Sequence, residues 1–204
     1  MILYLFAMTY QTHAYFGQVL FSCISEVWNA DISEKQLIIG SVKPDRSSLF
    51  LSHPHFWNYS KNFVYKRIKK LSHKKIVSGK KNKKFSMELG IVLHYIADFF
   101  TAVHNISPNK VLEHMAYEEK LHKAFLEQIT VEKVKQYARS ALLLNPERKL
   151  ENCIAELRIR HAVYKPSRDN PDNDIREILN ASFLVLSFVL GAVLEEKEMK
   201  KKAV

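Results

Sequence analysis

The chain of 204 residues has only two cysteines, Cys23 and Cys153, and no Cys-x-x-Cys. That excludes a disulfide scaffold and a thiolate metal site, so any metal must be held by nitrogen and oxygen. Each cysteine sits in an apolar helical pattern and reads as a small buried residue, with one disulfide left open. Glycine and proline are also scarce, at five and six. So few breaks suit long helices joined by a few loops rather than many short strands, and the expected fold class is all-α, as one compact multi-helix domain over residues 1–204. The apolar run Ser182 to Leu194 falls short of the roughly twenty residues that cross a bilayer and reads as a buried core helix. The apolar opening from Met1 to Ala7 lacks a basic start and a small-residue cleavage site, so the chain reads as unprocessed and cytoplasmic. Met8 is a competing start, because every motif described below lies beyond it.

Acidic residues are outnumbered, 21 against 31 Lys and Arg, for a formal charge of +10. Such a field attracts phosphate groups, acidic lipid or nucleic acid, although solubility alone explains it equally well. The excess is concentrated between Lys61 and Lys84. The stretch Lys66 to Lys84 could dock an anionic membrane, where each cation adds about 1 kcal/mol near the surface.

Apolar periodicity and breakers predict helices from Thr12 to Trp28, from the N-cap Ser33 to about Gly40, and from Tyr59 to Leu71. A loop is expected from Gly40 to Pro54, and a mobile turn from Ser78 to Lys84. A strong apolar helix should run from Ser86 to His104, stopped by Ser107-Pro108. The next begins near Asn109 and carries Glu113 to Glu127. Core helices over 130–200 complete the set, with breaks at Asn145-Pro146 and from Lys165 to Pro171.

His94 and Asp98 are four residues apart, about 40° round a helix, and can grip one ion. On the same continuous helix His104 falls about 80° from His94, too far for that ion and suited to a neighbouring one. His114 and Glu118 repeat the i, i+4 device on the following helix. A single such pair is more often a satisfied core or surface pair. Asp98, however, lies in the apolar run from Gly90 to Phe100, with no Lys or Arg between Glu88 and Asn109, and a buried carboxylate there needs a cation.

The string His94-Tyr-Ile-Ala-Asp98, then His104-Asn105, then His114-Met-Ala-Tyr-Glu118, resembles the zinc-dependent bacterial phospholipases C and the related phospholipase C/D domain. Upstream, Thr12-His13, Gly40-Ser-Val-Lys-Pro-Asp45 and His55-Phe56-Trp57 resemble further family motifs in the same order, so the likeness covers Thr12 to Glu118. The resemblance implies an all-helical protein with two or three Zn2+ ions. Asp45, His55, His94 and Asp98 would hold one ion, and His104, His114 and Glu118 a second. Asp98 would bridge to a third, which His13 helps to hold. His53 competes with His55. The family completes the third site with an N-terminal Trp that this chain lacks; the amine of Met1 would have to substitute.

Clustered zinc with carboxylate and imidazole ligands suits phosphodiester hydrolysis, with Asp45 as both ligand and base. A phospholipid is the expected substrate. Where relatives carry a choline pocket, this chain has Arg46 and Ser52-His53, which favours an anionic group over a quaternary ammonium. Trp57, with Phe56, Tyr95, Phe99 and Phe100, could wall the substrate or simply be core. The alternatives are a zinc-dependent single-strand nuclease, for which nucleic acid is the substrate, and a non-catalytic zinc-binding domain.

Overall fold

The computed structural model describes residues 7–74, 76, 80, 82–106, 111–144 and 149–202. Among these, all regular structure is helical: α1 (Ala7–Val27), α2 (Glu34–Val42), α3 (Leu49–Ser52), α4 (Trp57–Ser72), α5 (Lys83–Phe99), α6 (Val111–Gln128), α7 (Val131–Leu144), α8 (Leu150–Val163) and α9 (Pro171–Lys202). Short 3-10 turns occupy Pro44–Arg46 and Ala102–His104. The all-α expectation holds. The expected loop from Gly40 to Pro54 contains the end of α2, a 3-10 turn and α3. Of the predicted mobile turn, Ser78, Gly79 and Lys81 lie outside the described residues, while Lys83 and Lys84 already belong to α5; Ser107-Pro108, Asn145-Pro146 and the Met1 amine also lie outside them.

Every residue of α5 from Leu89 to Phe99 is buried, as expected of a helix that packs on all sides. It lies against α2, α4 and α9 and touches α1. Apolar residues of α9 from Ile175 to Leu190 fill the space beside it. His94 and Asp98 therefore stand inside the protein without leaving their helix.

Two glycines set the closest approach. A Cβ on Gly40 would stand 2.1 Å from the Met87 carbonyl oxygen, and one on Gly90 would stand 2.2 Å from that of Leu37. The backbones of α2 and α5 thus meet directly, bringing the end of α2 and the following turn with Asp45 against the helix that carries His94.

The helix expected through His104 ends at Phe99. Its last carbonyls find partners in the side chains that follow, which is how a helix is stopped without glycine. Thr101 Oγ1 donates to the Ala97 carbonyl, and Asn105 Nδ2 to those of Phe99 and Thr101. His104 therefore rides on a separate turn that folds back over the end of α5.

Both cysteines are buried free thiols, so the disulfide left open by the sequence does not form. Burial pushes each up to about 12, leaving about one thiolate in ten thousand at pH 8. An aromatic disulfide reagent at that pH should label neither thiol in the folded chain and both after denaturant is added. Rapid labelling of the folded chain would contradict this packing. Among the described residues, no helix is long and apolar enough to cross a membrane.

Candidate metal centre

Eight of the residues singled out in the sequence converge at one place. α1 supplies His13, the turn after α2 supplies Asp45, and the segment between α3 and α4 supplies His55. α5 gives His94 and Asp98, the second 3-10 turn gives His104, and α6 gives His114 and Glu118. His13, Asp45, His94, Asp98, His104 and Glu118 are buried.

Ligand atoms around a tetrahedral zinc, at about 2.0–2.1 Å from the ion, stand about 3.3 Å from one another. His94 Nε2 is 3.0 Å from Asp98 Oδ2 and 3.5 Å from Asp45 Oδ1; His55 Nδ1 is 3.1 Å and 3.5 Å from the same two oxygens. The other oxygen of Asp98 faces a different pair, His13 Nε2 at 3.1 Å and His104 Nε2 at 3.5 Å. One carboxylate thus presents its two oxygens to two sets of imidazoles, as a bridging ligand would. Glu118 Oε1 lies 2.6 Å from His114 Nε2 and 3.8 Å from His104 Nε2.

The protonation pattern at His94 tests whether a cation fits. Its Nδ1 is 2.8 Å from the carbonyl oxygen of Ser41, which can only accept, so Nδ1 carries the hydrogen. Burial, and then the neighbouring His13, hold the imidazole pKa below its usual value, so in the neutral ring Nε2 is a lone pair. That lone pair faces two carboxylate oxygens. Consistently, His94 Nε2, Asp98 Oδ2 and both oxygens of Asp45 are buried without a hydrogen-bond partner in the protein. Acceptors converging on acceptors repel in a low-dielectric interior unless a cation stands among them.

The other groups are tuned by the same crowding. Burial would raise the Asp98 carboxyl, but His94, His104, His13 and His55 together hold it well below the usual range. Burial depresses His13, yet Asp98, with Asp45 and Glu118 behind it, carries the net shift upward. Burial brings His104 down to about 4 despite Asp98 and Glu118.

Among the described residues, three groups of side chains could each hold a metal ion: His13 with Asp45 and His94, His55 with Asp98 and His104, and His104 with His114 and Glu118. The last is the set expected for the second ion, whereas the first two divide the expected set of Asp45, His55, His94 and Asp98 between them and add His13 and His104. Inside the cluster, His13, Asp98, His104 and Glu118 help line a void of about 20 Å³, room for about one water or ion. On the outer side a cavity of about 160 Å³ opens, lined by Asp45, Phe50, Pro54, His55, Phe56, His104, His114 and Glu118.

The reading of His104 needs correction. Its Nε2 points back to Asp98 instead of lying round the far side of α5, because the chain leaves the helix before reaching it. His55 enters the cluster while His53 stacks on Phe63, ring centroids 3.8 Å apart. Trp57 is largely buried and stacks on His161. Tyr95, Phe99 and Phe100 are fully buried core, leaving Phe56, of the aromatics expected there, to line the cavity together with Phe50. Exposed Arg46 lies over the ring of Tyr10, 4.6 Å from its centroid. Of the basic stretch, Lys66, Lys69 and Lys70 are exposed, whereas Arg67 pairs with Glu88 and covers Phe63.

Sequence reading missed the Ser41 carbonyl, a backbone group with no signature of its own. It also missed Phe50 and Pro54, which fell in an assumed loop. Residues 12–168 match the family described as zinc dependent phospholipase C. Comparison with curated proteins and with solved structures gives no match.

Proposed function

The chain belongs to the zinc-dependent phospholipase C family, and we propose that it hydrolyses a phosphoric diester, most simply that of a phospholipid. The observation that carries this reading is the buried convergence of the His94 Nε2 lone pair with carboxylate oxygens of Asp45 and Asp98, none of which has a hydrogen-bond partner in the protein. Asp45, His55, His94 and Asp98 would hold one zinc ion, His104, His114 and Glu118 another, and His13 with an oxygen of Asp98 would contribute to a third. Zinc held there neutralises the phosphate, stabilises the leaving oxygen and lowers the pKa of water toward neutrality.

The remaining chemistry falls to the chain. Asp45 belongs both to the ligand cluster and to the wall of the outer cavity. One of its oxygens faces His55 and His94, and the other has no donor from the protein. The second oxygen is suited to accept the proton of an attacking water, and the first to fix the carboxylate while it does so. Ser41 holds His94 through its other nitrogen, so the ring cannot turn away. Helix α9 packs on α5 and α6, and α7 on α1, all three of these packed-on helices carrying candidate ligands, and 1–204 is read as one domain.

A lipid substrate is supported by the family and by the apolar groups beside the cavity: Phe50 lines it, and the adjoining Leu51 is 72% exposed. Exposed Lys66, Lys69 and Lys70 offer peripheral contact with an anionic membrane at the cytoplasmic face. Absence of binding to acidic vesicles at low salt would remove that contact. One observation favours the nuclease alternative. A second cleft shares Phe56 and His104 with the first and adds Tyr59, 74% exposed, and Asn105; aromatic faces beside a phosphodiester site are what single-strand binding uses.

The test is Asp45→Asn, measured for zinc content and for turnover of phosphatidylcholine, an acidic phospholipid, single-stranded DNA and a chromogenic phosphodiester. The wild-type chain should contain zinc and favour an acidic phospholipid over phosphatidylcholine. The variant should lose about 10²–10⁴-fold in turnover, the usual worth of a positioned base. Unchanged zinc with unchanged turnover would remove Asp45 from the chemistry, and zinc with no wild-type turnover would leave a non-catalytic domain.

A further inference from the structure

Asp174, in the first turn of α9, has no solvent exposure. Its carboxylate is nevertheless fully engaged. Oδ2 accepts the backbone N–H of Ala102 at 2.7 Å and the hydroxyl of Tyr117 at 2.5 Å, and Oδ1 accepts the hydroxyl of Tyr164 at 2.5 Å. Short hydrogen bonds to an ionised acceptor are the strong kind, roughly twice a neutral pair. Burial pushes the Asp174 carboxyl up to about 6 against the pull of these three donors, so it is mostly ionised at neutral pH.

The segments held by Oδ2 are informative. Ala102 opens the 3-10 turn that carries His104, and Tyr117 stands next to Glu118 and three residues beyond His114 on α6. Tyr164 follows α8 and has no candidate ligand beside it. A single oxygen therefore ties together the two separate pieces of chain from which His104, His114 and Glu118 come. Helix α9 makes that oxygen a fixed post, because it packs along α5, α6 and α8. The spacing of His104 Nε2 from Glu118 Oε1 depends on the register of a short turn against a helix, and no hydrogen bond between the two side chains sets it.

We propose that Asp174 is a positioning residue for the metal centre: through one carboxylate oxygen it locks the His104 turn to α6, creating the group His104, His114 and Glu118. This rests on the metal-binding reading above. It differs from plain stabilisation in its polarity, since the two tyrosines make equally short bonds to the same carboxylate while only one adjoins a ligand.

That asymmetry gives the test. Tyr117→Phe and Tyr164→Phe each delete one hydroxyl from the full chain, and Asp174→Asn weakens the whole knot. For each, zinc affinity is measured ion by ion by competition with a chromogenic chelator, alongside thermal unfolding followed by circular dichroism. Tyr117→Phe and Asp174→Asn should weaken one zinc ion by about tenfold or more, within the range for groups that support metal ligands, while the other zinc is retained. Tyr164→Phe should lower the unfolding temperature comparably and leave every zinc affinity within about twofold of wild type. Equal zinc affinities in the two tyrosine variants, whether both reduced or both unchanged, overturn the proposal and leave Asp174 an ordinary anchor. If Asp174→Asn does not fold, the tyrosine pair decides alone. A wild-type chain that binds no zinc overturns the metal reading itself, an outcome distinct from equal behaviour of the tyrosine variants.

Discussion

Replacing Gly90 with alanine should destabilise the protein by about 3 kcal/mol or more and remove its capacity to hold metal, because the added methyl meets backbone on every near side. The new Cβ would stand 2.2 Å from the Leu37 carbonyl oxygen, 2.7 Å from the Ser41 nitrogen and 2.9 Å from the Gly40 carbonyl carbon. None of these atoms is the end of a flexible side chain, so α2 and α5 must separate. Alanine's better helix propensity returns only about 1 kcal/mol, which does not offset the clash. Separation also carries the Ser41 carbonyl away from His94 Nδ1 and displaces the turn with Asp45. Gly17→Ala is the control. Its Cβ would meet the Ser41 hydroxyl oxygen at 2.8 Å, a group that can rotate, and the expected loss is smaller. Urea unfolding with zinc content on the same samples checks both. A Gly90→Ala chain as stable and as metal-loaded as the Gly17→Ala chain would show that the two helices do not need their close contact.

This dependence explains what could and could not be read from residues alone. The pairs His94 with Asp98 and His114 with Glu118 were legible because spacing of four residues along a helix translates directly into a shared face, whereas His13, Asp45 and His55 lie on other elements and were found only through the resemblance to family motifs. The assignment of His55 over His53 rested on the following pair Phe56-Trp57, and the structure separates the two by setting one against Asp98 and stacking the other on Phe63. His104 was placed on the wrong element because apolar periodicity continues past Phe99. What stops α5 is the hydrogen bonding of Thr101 and Asn105, and such local competition leaves no trace in a hydrophobic pattern. Gly40 read as a helix end, and its role as a contact surface for Gly90 involves residues fifty positions apart. Nothing in the sequence singled out Asp174, one of two acids in the first turn of α9. Only the arrival of Tyr117, Tyr164 and Ala102 from three other segments reveals it as a buried junction.

The largest chemical effect is expected at Asp98. Asp98→Ala should lower phosphodiesterase turnover by at least about 10³-fold, since one preorganised electrostatic contact is already worth about 10²–10³ and this carboxylate faces four imidazoles. Its effect on stability has two parts that must be separated. In metal-free protein the surrounding histidines hold the Asp98 carboxyl well below its usual range. A depressed acid contributes stability above its unfolded-state pKa and loses it as the pH falls through the lower folded-state value, so at neutral pH this contribution is fully present. The alanine variant is therefore weakened even with a chelator. The diagnostic quantity is the difference between loaded and chelated protein. For the wild type, zinc at a thousand times its dissociation constant adds about 4 kcal/mol per site, or about 8–16 °C in unfolding temperature for a chain of this size. In Asp98→Ala that gap should shrink to about half or less, because neither set of imidazoles keeps its shared oxygen donor. A variant that retained both the full chelator-induced shift and its turnover would show that the carboxylate is not the ligand around which the centre is built.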